Sequence, residues 1–225
     1  MKALPPATVK GATVIFAPGV TYTTALDADF NTVAIPIKIV GNGAILNFGG
    51  LLGFYNGSRV SDCGIVATGV LSSYLASFDY VQIGATAGIV ALGAVRISHC
   101  QIAGDITINA GQSLDADYLG LTGIIVANGG ECRISNSMLG ADSASPAVDC
   151  TAGYLFMMGT VVTNAGAGGS VKCENSATTV PNMLTNIFCV TGTITCGDAV
   201  SIIGPSYTAT ALSGSAITRM NTVTA

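Results

Sequence analysis

From Gly11 to Gly204 the apolar residues come in short runs rich in β-branched side chains. Examples are Ile106-Thr107-Ile108, Gly123-Ile124-Ile125-Val126 and Thr193-Ile194-Thr195. Small polar turns separate them, such as Asn109-Ala110-Gly111, Asn128-Gly129-Gly130 and Asn164-Ala165-Gly166. Runs of this length and composition predict strands, while Gly and Asn suit the left-handed backbone of sharp corners. No helical spacing of useful length occurs. The runs also repeat. Arg59-Val60-Ser61-Asp62-Cys63, Arg96-Ile97-Ser98-His99-Cys100 and Arg133-Ile134-Ser135-Asn136-Ser137 stand 37 residues apart. Asp79-Tyr80-Val81 and Asp117-Tyr118-Leu119 fall about midway, with a weaker echo at Gly153-Tyr154-Leu155. The physical unit is therefore roughly 18 to 19 residues, and alternate units resemble each other. Such units bury their apolar face only against their neighbours. The expected fold is all-β, with about 9–10 coils stacked in parallel at ~4.8 Å into a column of roughly 45–50 Å.

The opening of the chain sharpens this. Ala12-Thr13-Val14-Ile15-Phe16 precedes Pro18-Gly19 and Tyr22, and Ile35-Pro36-Ile37-Lys38-Ile39-Val40 leads into Gly41-Asn42-Gly43 and Ala44-Ile45-Leu46-Asn47-Phe48. This order resembles the start of right-handed parallel β-helices of the pectate-lyase superfamily, including phage tailspikes. The likeness covers residues 11–48 as motif and 49–204 as period. It implies a single-stranded right-handed parallel β-helix and says little about activity. One domain is expected: an N-terminal arm and leading strands over 1–40, the helix over 41–204, and a C-terminal cap or docking arm over 205–225.

Of the 225 residues, 50% are hydrophobic and 9% charged, and the mean hydropathy is +0.62. Polar residues interrupt every apolar run before the ~18 residues a membrane-spanning helix needs, so no membrane span is expected. The net charge is −4 with eight Lys and Arg, and no basic cluster along the chain points to nucleic acid. Few charges remain to keep the protein apart from partners, which suggests an assembly. No secretion signal is read at Met1–Pro6. Seven Cys, no CxxC pair and a single His make a zinc site improbable, and no metal or cofactor is expected. Cys63 and Cys100 fall at equivalent positions, and Cys132 and Cys150 one unit apart. The simplest reading is a set of buried thiols, the sharper one a disulfide between coils or subunits.

Enzymes of the resembling family use clustered carboxylates, which in glycosidases stand about 5 to 9.5 Å apart. The best candidates here are Asp115 and Asp117 on one strand face and Asp79 two coils below, with Asp105 as a further neighbour. The competing reading makes these turn residues on an outer rim, and the pectin-hydrolysing motifs are absent. Arg59, Arg96 and Arg133 are expected to line up roughly 10 Å apart. As an outer stripe they would bind an acidic polysaccharide or protein surface; otherwise each pairs with a local carboxylate such as Asp62. Tyr80, Tyr118 and Tyr154 repeat, either as inward core or as an exposed stack for sugar rings. His99 occupies the slot of Asp62 and Asn136 and so reads as solvent-facing. Ser98 has no nucleophile-elbow context, and Gly41 to Gly43 is a corner rather than a phosphate loop.

The expected function is a non-enzymatic structural protein on the surface of a phage virion, a capsid decoration protein or short spike, made in the host cytoplasm. The resemblance implies an oligomer, with a trimer favoured, partnered by the major capsid protein. A tailspike that binds or cleaves host polysaccharide is the first alternative, and a bacterial surface adhesin the second. These expectations rest largely on analogy of fold.

Overall fold

The computed structural model describes residues 11–23, 35–49, 53–54, 57–67, 71–73, 76–84, 88–174, 182–190, 193–196, 201–203, 207–208, 211–213 and 217–219. The chain is a parallel β-solenoid that makes about seven turns between the strand Ile37–Gly49 and the strand Asn182–Thr185. Stacking continues past the expected end at 204, because Tyr207–Thr208, Ala211–Ser213 and Ile217–Arg219 each pair in parallel with the turn before. Residues 1–10 and 220–225 lie outside the described residues.

Each central turn contributes a first strand and a second strand to one large sheet and a third to a nine-stranded sheet opposite. In one turn these are Ala94–Ser98, Gln101–Ala103 and Ile106–Ile108; in the next, Ser113–Asp117, Gly120–Thr122 and Ile125–Asn128. Inward side chains fill the space between the sheets as aliphatic ladders. Ile89, Ile106, Ile125 and Val148 stack on the smaller sheet, facing Ile65, Ile83, Ile102 and Leu121 on the larger. All are at most 2% exposed, so each turn buries its apolar face on the next.

The register explains the repeat. Arg96 pairs with Asp115 and Asp115 with Arg133, steps of 19 and 18 residues that together make the 37-residue interval. Further along, the expected constant unit needs correction. Arg133 meets Phe156, and Phe156 meets Met183, across steps of 23 and 27 residues. Some of the extra chain forms the corner between Met138–Ala141 and Val148–Thr151. Asn164 holds this corner from the turn above. Its Oδ1 accepts from the amides of Ser143 and Gly166 (3.1 and 3.0 Å), and its Nδ2 donates to the carbonyls of Ser145 and Gly169 (2.9 and 2.7 Å). One buried amide thus satisfies backbone groups that would otherwise be stranded.

The bend between first and second strands sits at a single residue with left-handed backbone. On successive rungs these are Asp62, Tyr80, His99, Tyr118, Asn136, Gly159 and Asn186, all with φ between 49° and 59°. The next residue, Cys63, Val81, Cys100, Leu119, Ser137 or Thr160, is buried. At Cys100, Ser137 and Thr160 the S–H or O–H donates to the carbonyl two residues back and closes the bend. Cys100 Sγ donates to the Ser98 carbonyl (3.1 Å) and accepts from the amide of Val81 one rung below (3.4 Å). Ser137 Oγ does the same with Ser135 (2.6 Å) and Leu119 (3.0 Å). Val81 and Leu119 carry no such group, and Cys100 and Ser137 on the rungs above cap their amides. This accounts for the alternation from Val81 to Ser137, which Thr160 on the next rung ends.

The thiol expectation holds for six cysteines, which are buried without disulfides. Cys150 and Cys173 share one inward column on the smaller sheet, whereas Cys132 lies on the larger. Burial pushes the Cys63 and Cys150 thiols up to about 12 and those of Cys100 and Cys189 to about 11.

Candidate functional site

Outward positions of the first strands form one column. In order these are Lys38, Arg59, Ser77, Arg96, Asp115, Arg133, Phe156 and Met183. Four of the chain's eight basic residues stand here. The alignment of Arg59, Arg96 and Arg133 at two-rung steps is as expected, but the stripe is not purely basic. Arg96 Nε lies 3.7 Å from Asp115 Oδ2, and Arg133 reaches Glu131 at 3.5 Å. The partners therefore differ from the Asp62 considered for the local-pairing reading. Both pairs are well exposed, and pairs of this kind contribute about 0–1 kcal/mol.

Beside this column two adjoining hollows, of about 570 and 650 Å³, follow the edge where each turn passes from the smaller to the larger sheet. Arg59 and Arg96 border the first; Glu131, Arg133 and Tyr154 border the second. The floor is made of small residues, among them Gly57, Ala76, Ser113, Gly130 and Gly153. A Cβ on Gly153 would collide with the Gly130 carbonyl, so glycine there keeps the floor flat and the rungs close.

The candidate carboxylates are only partly brought together. Asp117 and Asp79 both face Ser98, one rung above and one below, as the spacing implied. Asp115 shares the strand with Asp117 but is engaged by Arg96. Asp117 Oδ1 accepts from Ser135 Oγ (2.7 Å) and Asn136 Nδ2 (3.0 Å). The Ser135 hydroxyl foremost, against slight desolvation, and then the Asn136 amide and His99 hold its carboxyl below the usual range. A carboxylate so held is a poor proton donor. Asp105 is elsewhere: it sits at the corner before Ile106–Ile108 and accepts from the Ile124 amide (3.0 Å). Among the described residues, no three His, Cys, Asp or Glu side chains are placed to hold a metal ion.

The tyrosines divide, and the inward reading is corrected for two of them. Tyr80 and Tyr118 are 60% and 52% exposed, because the left-handed bend turns their side chains away from the core. His99 lies between them, exposed as expected, with ring centroids 4.7 Å from each and planes within 15°. Its Nδ1 shares a hydrogen bond with Ser98 Oγ (2.9 Å). Tyr154 does not belong to this stack. It starts its strand beside Glu131 on the hollow's edge. The stack is also a poor platform for sugar rings: the inner ring faces cover one another and leave edges outward.

One feature of this surface escaped the sequence reading. The outward column of the second strands runs Ile45, Gly64, Gln82, Gln101, Gly120, Met138, Val161 and Phe188. Met138 is 68% exposed. Aligning the repeats places Met138 in the slot of Gly64 and Gln101, and a large apolar residue in a polar or empty outward slot was the available signal. No protein-family model, characterised protein or solved structure shows a match to this chain.

Proposed function

We propose that the protein is a structural component of a phage particle surface, a capsid decoration protein or short spike that works as an assembly. One observation carries its non-catalytic character: Asp115 and Asp117, the carboxylates a hydrolase would need poised, are each engaged by a neighbouring rung. The sparse charge of the chain supports assembly. A labelled antibody or tagged copy followed by electron microscopy tests the location. Label over the head is the expected outcome; particles without label overturn the reading.

The basic column and its adjoining hollows favour a second reading, binding of an acidic host polysaccharide. Arg59, Arg96 and Arg133 recur at roughly 10 Å, near the length of an extended disaccharide. Titration of an acidic polysaccharide against the protein and its Arg96→Glu/Arg133→Glu variant separates the two. Binding lost in the variant supports this reading, and no binding by the parent protein removes it.

A further inference from the structure

The outward column of the first strands carries arginine at every second rung from Arg59 to Arg133, and what stands between the arginines differs. Asp115 lies in register between Arg96 and Arg133, and its carboxylate meets Arg96 at 3.7 Å. One step lower, Ser77 lies in register between Arg59 and Arg96. The upper interval supplies its own anion, whereas the lower has a hydroxyl in the same place. Lys38 pairs in register with Arg59 from the rung beneath. Three cations and no carboxylate therefore occupy four successive positions of the column, in a chain whose acidic residues outnumber its basic ones by twelve to eight.

Neither Lys38 nor Arg59 has an ion-pair partner among the described residues. Asp62 and Asp79 lie farther along the same strands as Arg59 and Ser77, at the bend and in the next outward column, and neither borders the hollow. Like charges on neighbouring rungs repel. The fold gains nothing from that arrangement, and an anion from outside relieves it. Arg96 is held only loosely, because its contact with Asp115 is exposed and longer than a hydrogen bond. The hollow of about 570 Å³ opens at this point, with Arg59, Ser77 and Arg96 around a floor of Gly57, Ala76 and Ala94. It has no acidic lining, unlike the adjoining hollow, which Glu131 borders.

We propose that Arg59, Ser77 and Arg96, with Lys38 beside them, form a binding site for a terminal sulfate or phosphate ester group. The spacing and the number of donors select that chemistry. With N–H···O contacts of about 2.8 Å, a guanidinium carbon sits roughly 4 Å from the centre of an anion it grips by an edge. Two opposed forks on one anion then stand roughly 8 Å apart. Two rungs supply about 10 Å, while one supplies about 5 Å and three about 14 Å, so the two-rung step is the one that fits. A carboxylate has a single O–C–O edge and fills one fork. A sulfate or phosphate monoester has three terminal oxygens, hence an edge for each fork and lone pairs for the Ser77 hydroxyl. The site rests on the polysaccharide reading above for what carries the ester, and it deepens that reading by naming the acidic group and confining it to the lower hollow.

The experiment has two parts, both on the full chain at low ionic strength, where exposed charges are least screened. In the first, inorganic sulfate and inorganic phosphate are titrated while the arginine side-chain Nε–H signals are followed by NMR. Saturable shifts at Arg59 and Arg96 are expected, and their loss in Ser77→Asp, which gives the lower interval the carboxylate of the upper one. In the second, dextran sulfate, dextran phosphate and polygalacturonate of matched charge density are compared. At least one of the two ester polymers should bind about tenfold more tightly than the carboxylate polymer, and the tighter of the two identifies the ester. Arg59→Gln should weaken that binding about tenfold, whereas Lys172→Gln, which removes the same charge from the smaller sheet, should leave it unchanged. Circular dichroism establishes that each variant is folded. Shifts that do not saturate, equal binding of polygalacturonate, or a folded Ser77→Asp that binds like the parent protein overturns the site. The two readings fail separately. Saturable shifts without binding of any polymer remove the polysaccharide reading and support the site, and polymer binding indifferent to Arg59 and Ser77 does the reverse.

Discussion

The two outward faces of the larger sheet share one backbone and one period, yet they are chemically opposite. First strands present Lys38, Arg59, Arg96, Asp115 and Arg133; second strands present Ile45, Gln82, Gln101, Met138 and Phe188. Only a one-residue bend separates them. Behind the bend the packing is just as regular on both sides, so the difference does not come from the core. It teaches that a solenoid assigns outward columns independently: a side chain there meets only the rungs above and below, and its neighbours across the bend point elsewhere. Charged and uncharged surface chemistry can then stand side by side on one sheet without interfering.

The largest test of this separation acts on the wall behind the second strands. Cys63, Cys100 and Cys189 stand there, with thiols held at about 11 to 12, and Cys132 behind the first strands is pushed well up by burial. A folded-state value above the unfolded one stabilises fully below the unfolded pKa and is lost as pH rises towards the folded value. Stability should therefore be flat to about pH 8.5 and fall between there and 12, by roughly 1.4 kcal/mol per thiol per pH unit. Chemical denaturation across pH 7 to 11 measures it. If a Cys63→Ala/Cys189→Ala variant falls as steeply as the parent, the thiols are not the cause.

A smaller effect is expected at the bend. Ser137→Ala strands the Leu119 amide, at a cost of about 1–3 kcal/mol, whereas Ser137→Cys should restore most of it because Cys100 already caps the same bend two rungs below. Equal midpoints for the two variants in urea would sink the capping account. Smaller still is Tyr118→Asn. It loses the contact with His99 but relaxes the left-handed backbone, so stability should stay within about 1 kcal/mol. Stability lost by several times that amount would make the ring stack structural and erase the contrast between the two faces.

Much of the architecture was legible in the residues. Arg59, Arg96 and Arg133, spaced evenly with a β-branched residue and Ser after each, carried the rung and the outward column at once. Strand-forming runs and Gly or Asn corners carried the rest, since a parallel stack needs little more than a period and an apolar face. The site was less legible. Asp115 looked available until the register put Arg96 beside it, and Asp117 until Ser135 and Asn136 closed on it from the turn above. Tyr154 looked like a sister of Tyr80 and Tyr118 because it recurs at nearly their interval, but the longer corner before it shifts its place on the rung.

By itself, then, the sequence determined the period, the parallel stack and the burial of the thiols, all of which follow from side-chain chemistry repeated along one dimension. The tertiary structure decided which residues sit next to one another across the turns. Neighbours on adjacent rungs are about 18 to 27 residues apart in the chain, so a corner longer by a few residues realigns every partner beyond it. It also decided which way Tyr80, His99 and Tyr118 point, because a single left-handed residue reverses the inward and outward alternation of a strand.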